Sequence, residues 1–110
     1  MPNRRHSIHA FGAVAAGNQS DALEVSEFTK GIVYLDRAAV SGAVVAMEVS
    51  PDGTNWHTYF DQDDADQYVW TVGSNAQIAV AVRLSAQWIR FDVTIQDMDG
   101  IWFEGIREVA

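Results

Sequence analysis

Apolar residues along the chain fall into short runs of period two, separated by Gly, Pro, Asn and Asp. That alternation places side chains on opposite faces of a pleated strand. It is cleanest in Trp88 to Ile95, where Ile89, Phe91, Val93 and Ile95 interleave with Trp88, Arg90, Asp92 and Thr94. In the run before it, Ile78, Val80, Val82 and Leu84 alternate with the small or charged Ala79, Ala81 and Arg83. Tyr68, Trp70 and Val72 share one parity, which predicts that they point the same way. Further runs at Ile32 to Leu35, Val44 to Val49 and Ile101 to Val109 read as strands, the last with an expected bulge at Gly105.

Turn residues mark the connections. Ser50-Pro51-Asp52-Gly53 predicts a tight turn, because proline presets the first corner and glycine tolerates the left-handed one. A hairpin of Val44 to Val49 with Trp56 to Phe60 follows. Ser41-Gly42, Gly73-Ser74-Asn75 and Asp97-Met98-Asp99-Gly100 are read as further turns. Among the first forty residues, Ser7 to Val14 looks extended, and Ala22 to Val25 reads as a short strand or, alternatively, Val25 to Lys30 as one helical turn. No segment carries an amphipathic 3.6-residue repeat. The expected fold is all-β, a single antiparallel β-sandwich of eight or nine strands, jelly-roll-like, with an extended N-terminal arm over residues 1–6.

Composition sharpens this picture. The 110 residues suit one domain. Lysine occurs once, at Lys30, and leucine only at Leu23, Leu35 and Leu84, while β-branched and aromatic residues fill the apolar runs. The formal charge of -8 opposes phosphate-rich partners, so neither nucleic acid nor a membrane surface is an expected partner. No cysteine is present, which removes disulfides and thiolate chemistry. The N-terminal stretch does not read as an export signal, and synthesis in a cytoplasm is expected.

Candidate chemistry is sparse. His6 and His9 lie three apart on an extended segment and therefore on opposite faces, and His57 stands alone, so no metal site is assigned to histidine. Asp61-Gln62-Asp63-Asp64-Ala65-Asp66 gathers four carboxylates, but it lacks the glycine and glutamate of a calcium loop and reads first as a solvated connection. Asp92, Glu48 and Glu104 are carboxylates without a pairing that marks a glycosidase, and no nucleophile elbow or phosphate loop occurs. An enzyme is not expected, and no cofactor is implied.

What remains is binding. Trp56, Trp70, Trp88 and Trp102 each lie in an expected strand. About half of them should fill the core, while Trp88, sharing parity with Arg90 and Asp92, suits a surface anchor. Arg4, Arg5 and His6 make the N-terminal segment a cationic arm on an anionic body. The residues expected to meet a partner are Arg4, Arg5, His6, Trp88, Arg90 and Trp102.

The stretch Val45 to Trp56, with Ser50-Pro51-Asp52-Gly53-Thr54-Asn55-Trp56, resembles the Ser-x-Asp-Gly-x-x-Trp hairpin of small β-sandwich proteins encoded by tailed bacteriophages. Ala86-Gln87-Trp88-Ile89-Arg90-Phe91 is similar to their penultimate strand. The resemblance covers roughly residues 43 to 95, and residues 1 to 40 take no part in it. It implies a capsid cement, staple or decoration protein of the virion exterior, binding the major capsid protein and acting as a dimer or trimer. The alternative is a carbohydrate-binding module or a tail or baseplate adhesin, in which exposed tryptophans stack on a glycan.

Overall fold

In the computed structural model the described residues are 3–37, 43–59, 68–73 and 76–109. They form nine strands and no helix: β1 (Asn3–Val14), β2 (Leu23–Glu24), β3 (Lys30–Arg37), β4 (Ala43–Ser50), β5 (His57–Thr58), β6 (Val69–Val72), β7 (Ala76–Arg83), β8 (Trp88–Thr94) and β9 (Met98–Val109). The chain folds as one long hairpin about its middle, for β1 pairs with β9, β2 with β8, β3 with β7, and β4 with both β5 and β6. Rolling that hairpin up brings β3 beside β9 and β4 beside β8. The result is a four-stranded sheet of order β1-β9-β3-β7 and a five-stranded sheet of order β2-β8-β4-β5 with β6 also on β4, all antiparallel. Apart from β4, β5 and β6, which share one sheet, successive strands change sheets, as in a jelly roll.

The alternation read from the sequence decides what lies between the sheets. Val33, Leu35, Ile101 and Phe103 point inward from the four-stranded sheet, and Val45, Met47, Ile89, Phe91 and Val93 from the five-stranded one. Tyr68 and Trp70 are half-buried against this core and Val72 is fully inside it, as their shared parity predicts. One end of the sandwich is closed by an edge-on pair, Phe28 and Phe103, 6.1 Å apart.

Two glycines make that closure possible. Gly31 and Gly105 face each other in register. A Cβ on Gly31 would lie 2.5 Å from the Phe103 ring, and one on Gly105 would lie 2.6 Å from the Phe28 ring. The bulge expected at Gly105 is therefore absent, and pairing runs regularly through it to Ser7 and Gly31. The irregularities lie in β1, on either side of Gly12.

Two further expectations change. The turn read over Asp97 to Gly100 ends earlier: β9 starts at Met98, whose side chain is 1% exposed and anchors the strand opposite Val14. The chain reverses instead at Ile95, which adopts a φ of 75°. Val25 to Lys30 is no helical turn; Phe28 N–H donates to the Val25 carbonyl (2.9 Å), and both side chains are buried. The N-terminal segment is extended, as expected, and is strand from Asn3 onward, bonded to β9 from Asn3↔Val109 to His6↔Ile106. Its backbone groups find partners there that a free arm would lack. Because β3 begins level with Ile106, the pairs Asn3–Val109, Arg4–Glu108 and Arg5–Arg107 run on past it as a two-stranded ribbon. The turns at Ser41-Gly42 and Ser74-Asn75, Phe60, and the acidic segment Asp61 to Asp66 lie outside the described residues.

Candidate functional site

The sandwich presents two outer faces, and they differ in how far their side chains satisfy one another. On the five-stranded sheet, β4 and β8 place Glu48 opposite Arg90. Arg90 Nε donates to Glu48 Oε1 at 2.7 Å, and the guanidinium lies 4.5 Å from the centre of the Trp56 ring. Asp92 accepts from Gln19 Nε2 at 2.7 Å.

Trp88 packs on the turn after β4, where a Cβ on Gly53 would stand 3.3 Å from the indole. That turn is tied from within. Ser50, 1% exposed, accepts the N–H groups of Asp52 and Gly53 on its Oγ and donates to Asp52 Oδ1. Asp52 Oδ1 also accepts from Thr54 N and Asn55 N, both at 2.9 Å, and Oδ2 from Asn55 Nδ2 at 2.8 Å. The backbone N–H groups of Asn55 and Thr54, then the side chains of Asn55 and Ser50, hold the Asp52 carboxyl far below the usual carboxylate range. The Ser-x-Asp-Gly-x-x-Trp pattern is thus a turn lock whose tryptophan receives Arg90.

The outer face of the four-stranded sheet is organised in cross-strand rows. One row is His6, Ile106, Lys30 and Arg83, and the next is Ile8, Glu104, Ile32 and Ala81. Ala10, Trp102, Tyr34 and Ala79 follow, then Gly100, Asp36 and Gln77. The two middle rows are apolar apart from Glu104, although they face outward, and Ile8 is 69% exposed. A solvated sheet face ordinarily carries polar residues at such positions. Glu104 is held within the face: Tyr34 OH donates to Oε1 (2.6 Å) and His6 Nδ1 to Oε2 (2.8 Å). The Tyr34 hydroxyl and, second, His6 lower the Glu104 carboxyl, while the same bond raises the Tyr34 phenol.

Trp102 lies over Gly100, where a Cβ would come within 2.4 Å of the indole. The ring, Tyr34, Asp36, Gln77 and Ala79 border an open, largely apolar groove of about 410 Å³. Among the described residues, neither Asp36 nor Gln77 has a side-chain partner.

Charge is distributed unevenly along this sheet. Arg4, Arg5, Lys30, Arg83 and Arg107, five of the chain's seven basic residues, lie at the end where the ribbon projects, together with Glu108 opposite Arg4 and Glu27, whose Oε2 accepts from Arg107 Nη1 at 3.3 Å. Asp36, Asp97 and Asp99 lie at the other, where Arg37 is buried (3% exposed) and donates to the Asp97 carbonyl oxygen.

The residues expected from sequence to meet a partner therefore do not form one site. Trp88 and Arg90 share the outer face of the five-stranded sheet and already have intramolecular contacts. His6 and Trp102 share the opposite outer face, with Arg4 and Arg5 at its projecting end. Ile32, Tyr34, Asp36, Ala79 and Ala81 were not singled out; the small residues alternating through β7 were the signal for them. Among the described residues no group of His, Cys, Asp or Glu is placed to hold a metal ion.

No protein-family model matches the sequence, and no curated protein does. Solved structures do. The SPBc2 prophage-derived protein YomS is similar over 96% of this chain and 96% of its own, with a TM-score of 0.63 and 9% identity. A chain from Bacillus endospore appendages, described as a novel family of disulfide-linked pili, is similar over 100% of this chain and 92% of its own (TM-score 0.60, 14% identity). The PBSX exported protein XepA is similar over 94% of this chain, which spans 38% of XepA (TM-score 0.60, 12% identity). The chain thus shares its two-sheet β fold with two prophage-derived proteins and a pilus protein.

Proposed function

We propose that the chain is a structural protein of a phage particle and, more narrowly, a decoration protein. It binds the outside of the head across joints between major capsid subunits. The carrying observation is the gathering of Arg4, Arg5, Lys30, Arg83 and Arg107 at one projecting end of a chain with a formal charge of -8. Such an end steers toward an acidic protein surface, while the rest of the chain repels polyanions. The prophage origin of two proteins of the same fold supports this reading.

Repetition on a shell makes a modest interface sufficient, because many copies act together. The test is sedimentation of the purified protein with particles that lack it. Saturable, stoichiometric binding that raises the particles' heat tolerance is expected, with occupancy falling for the Arg4→Ala, Arg5→Ala double variant. A protein that stays in the supernatant overturns the assignment.

The groove beside Tyr34 and Trp102 favours a second reading, a glycan-binding adhesin, since two aromatic rings beside an open carboxylate and amide suit a sugar. A glycan array separates the two: reproducible binding lost in Trp102→Ala selects the adhesin, and a blank array removes it.

A further inference from the structure

We infer that a second copy of this chain covers the outer face of the four-stranded sheet, related by a two-fold axis that runs across the strands. This face is apolar in its two middle rows, cationic in the row at Lys30 and Arg83, and carries the Asp36 carboxylate in the row six residues along β3. A homodimer interface uses the same patch twice, so it must complement itself. Two such axes stack the sheets face to face.

An axis along the strands sets the cationic row against its own copy and is repulsive. An axis across the strands, at the level of Val33, reverses strand direction and keeps β3 over β3 and β7 over β7. Lys30 then faces the second copy's Asp36, and Arg83 faces its Gln77. The Ile32, Ala81 and Ile8 row meets the second copy's row of Tyr34, Ala79, Trp102 and Ala10. Glu104 enters this contact with its carboxylate oxygens already bonded to Tyr34 and His6, so neither oxygen is left without a hydrogen bond when it is covered. Small side chains at Ala10, Ala79, Ala81 and Gly100 let the two faces approach.

Four strands and the seven residue positions from Lys30 to Asp36 measure roughly 20 Å by 24 Å, so about 1,000 Å² is covered over the two copies. That sits at the low end of specific interfaces and means a reversible dimer rather than a permanent one. The three-pair ribbon carrying Arg4 and Arg5 lies beyond the covered rows, at opposite ends of the dimer.

Purified full-length protein tests this without any particle, so its outcome is separate from that of shell binding. Sedimentation velocity across a concentration series is expected to show a monomer–dimer equilibrium in the micromolar range. Lys30→Glu and Asp36→Lys each place like charges together, and each should weaken it about tenfold or more. The double variant restores opposite charges across the axis and should recover most of the loss. Ala79→Arg, at an exposed position in the middle of the face, should give monomer while keeping the far-ultraviolet spectrum of the fold. A protein that remains monomeric at every concentration overturns the inference. So does a dimer indifferent to Ala79→Arg, or one that the charge swap fails to rescue.

Discussion

Single residues in this protein act mainly by the space and the hydrogen bonds they leave to their neighbours. Gly105 is an example: its missing Cβ admits the Phe28 ring. Gly105→Ala is expected to cost about 1–3 kcal/mol through overpacking, read as a lower denaturant midpoint with an unchanged slope. The sequence marks the glycine but cannot show which ring approaches it, and a bulge was the reading available from one strand alone.

Asp52 was legible, because the turn chemistry is local. Its folded carboxyl is depressed by the Asn55 and Thr54 amides, so the stability it contributes is present above the unfolded pKa and is lost as pH falls through the folded one. Asp52→Ala should therefore lower stability at neutral pH. Wild type and variant should converge in strong acid, below the ordinary carboxylate range, when melting curves are compared across pH. Gly53 supports the same turn with a φ of 79°, where a side chain is strained and would also press on Trp88.

At the scale of elements, alternation gave the strands and their inward faces, since period-two burial is a property of each run by itself; Ile95, of the inward parity, is the exception, 69% exposed where the chain reverses after β8. Ile89, Phe91 and Val93 are all buried, and Trp88, Arg90 and Asp92 all face outward. What no run reveals is the strand beside it. Arg90 looked free to meet a partner because Glu48 lies on a different strand and Trp56 beyond a turn. Arg90→Ala is expected to cost about 1–2 kcal/mol, combining a partly exposed ion pair with a cation–π contact. A double-mutant cycle with Glu48→Ala should assign under about 1 kcal/mol of this to the pair. The outward Ala79 and Ala81 carried a weaker signal. Their meaning emerged only when the register set them beside Tyr34, Ile32 and Trp102.

For the whole molecule, the fold class was legible and the functional surface only in part. His6 and Trp102 share a face because β1, β9 and β3 are neighbours, an order that joins distant parts of the chain. The same order collects five basic residues from four different strands at one end. If that end binds an acidic shell, occupancy should fall steeply as salt is raised, and the Arg4→Ala, Arg5→Ala variant should show a shallower dependence in the same sedimentation assay.

The pairing of β1 with β9 also governs how the molecule is made. β1 precedes its partner β9 by seven intervening described strands, so it waits unpaired until β9 has been synthesised. Contacts of that range fold slowly, because loop closure precedes any reward. Amide protection in refolding protein should accordingly reach β1 after the β4–β8 pairing is established. During that interval β1 of one nascent chain matches β9 of another as well as its own, so crowded synthesis favours exchange of the first strand between neighbours.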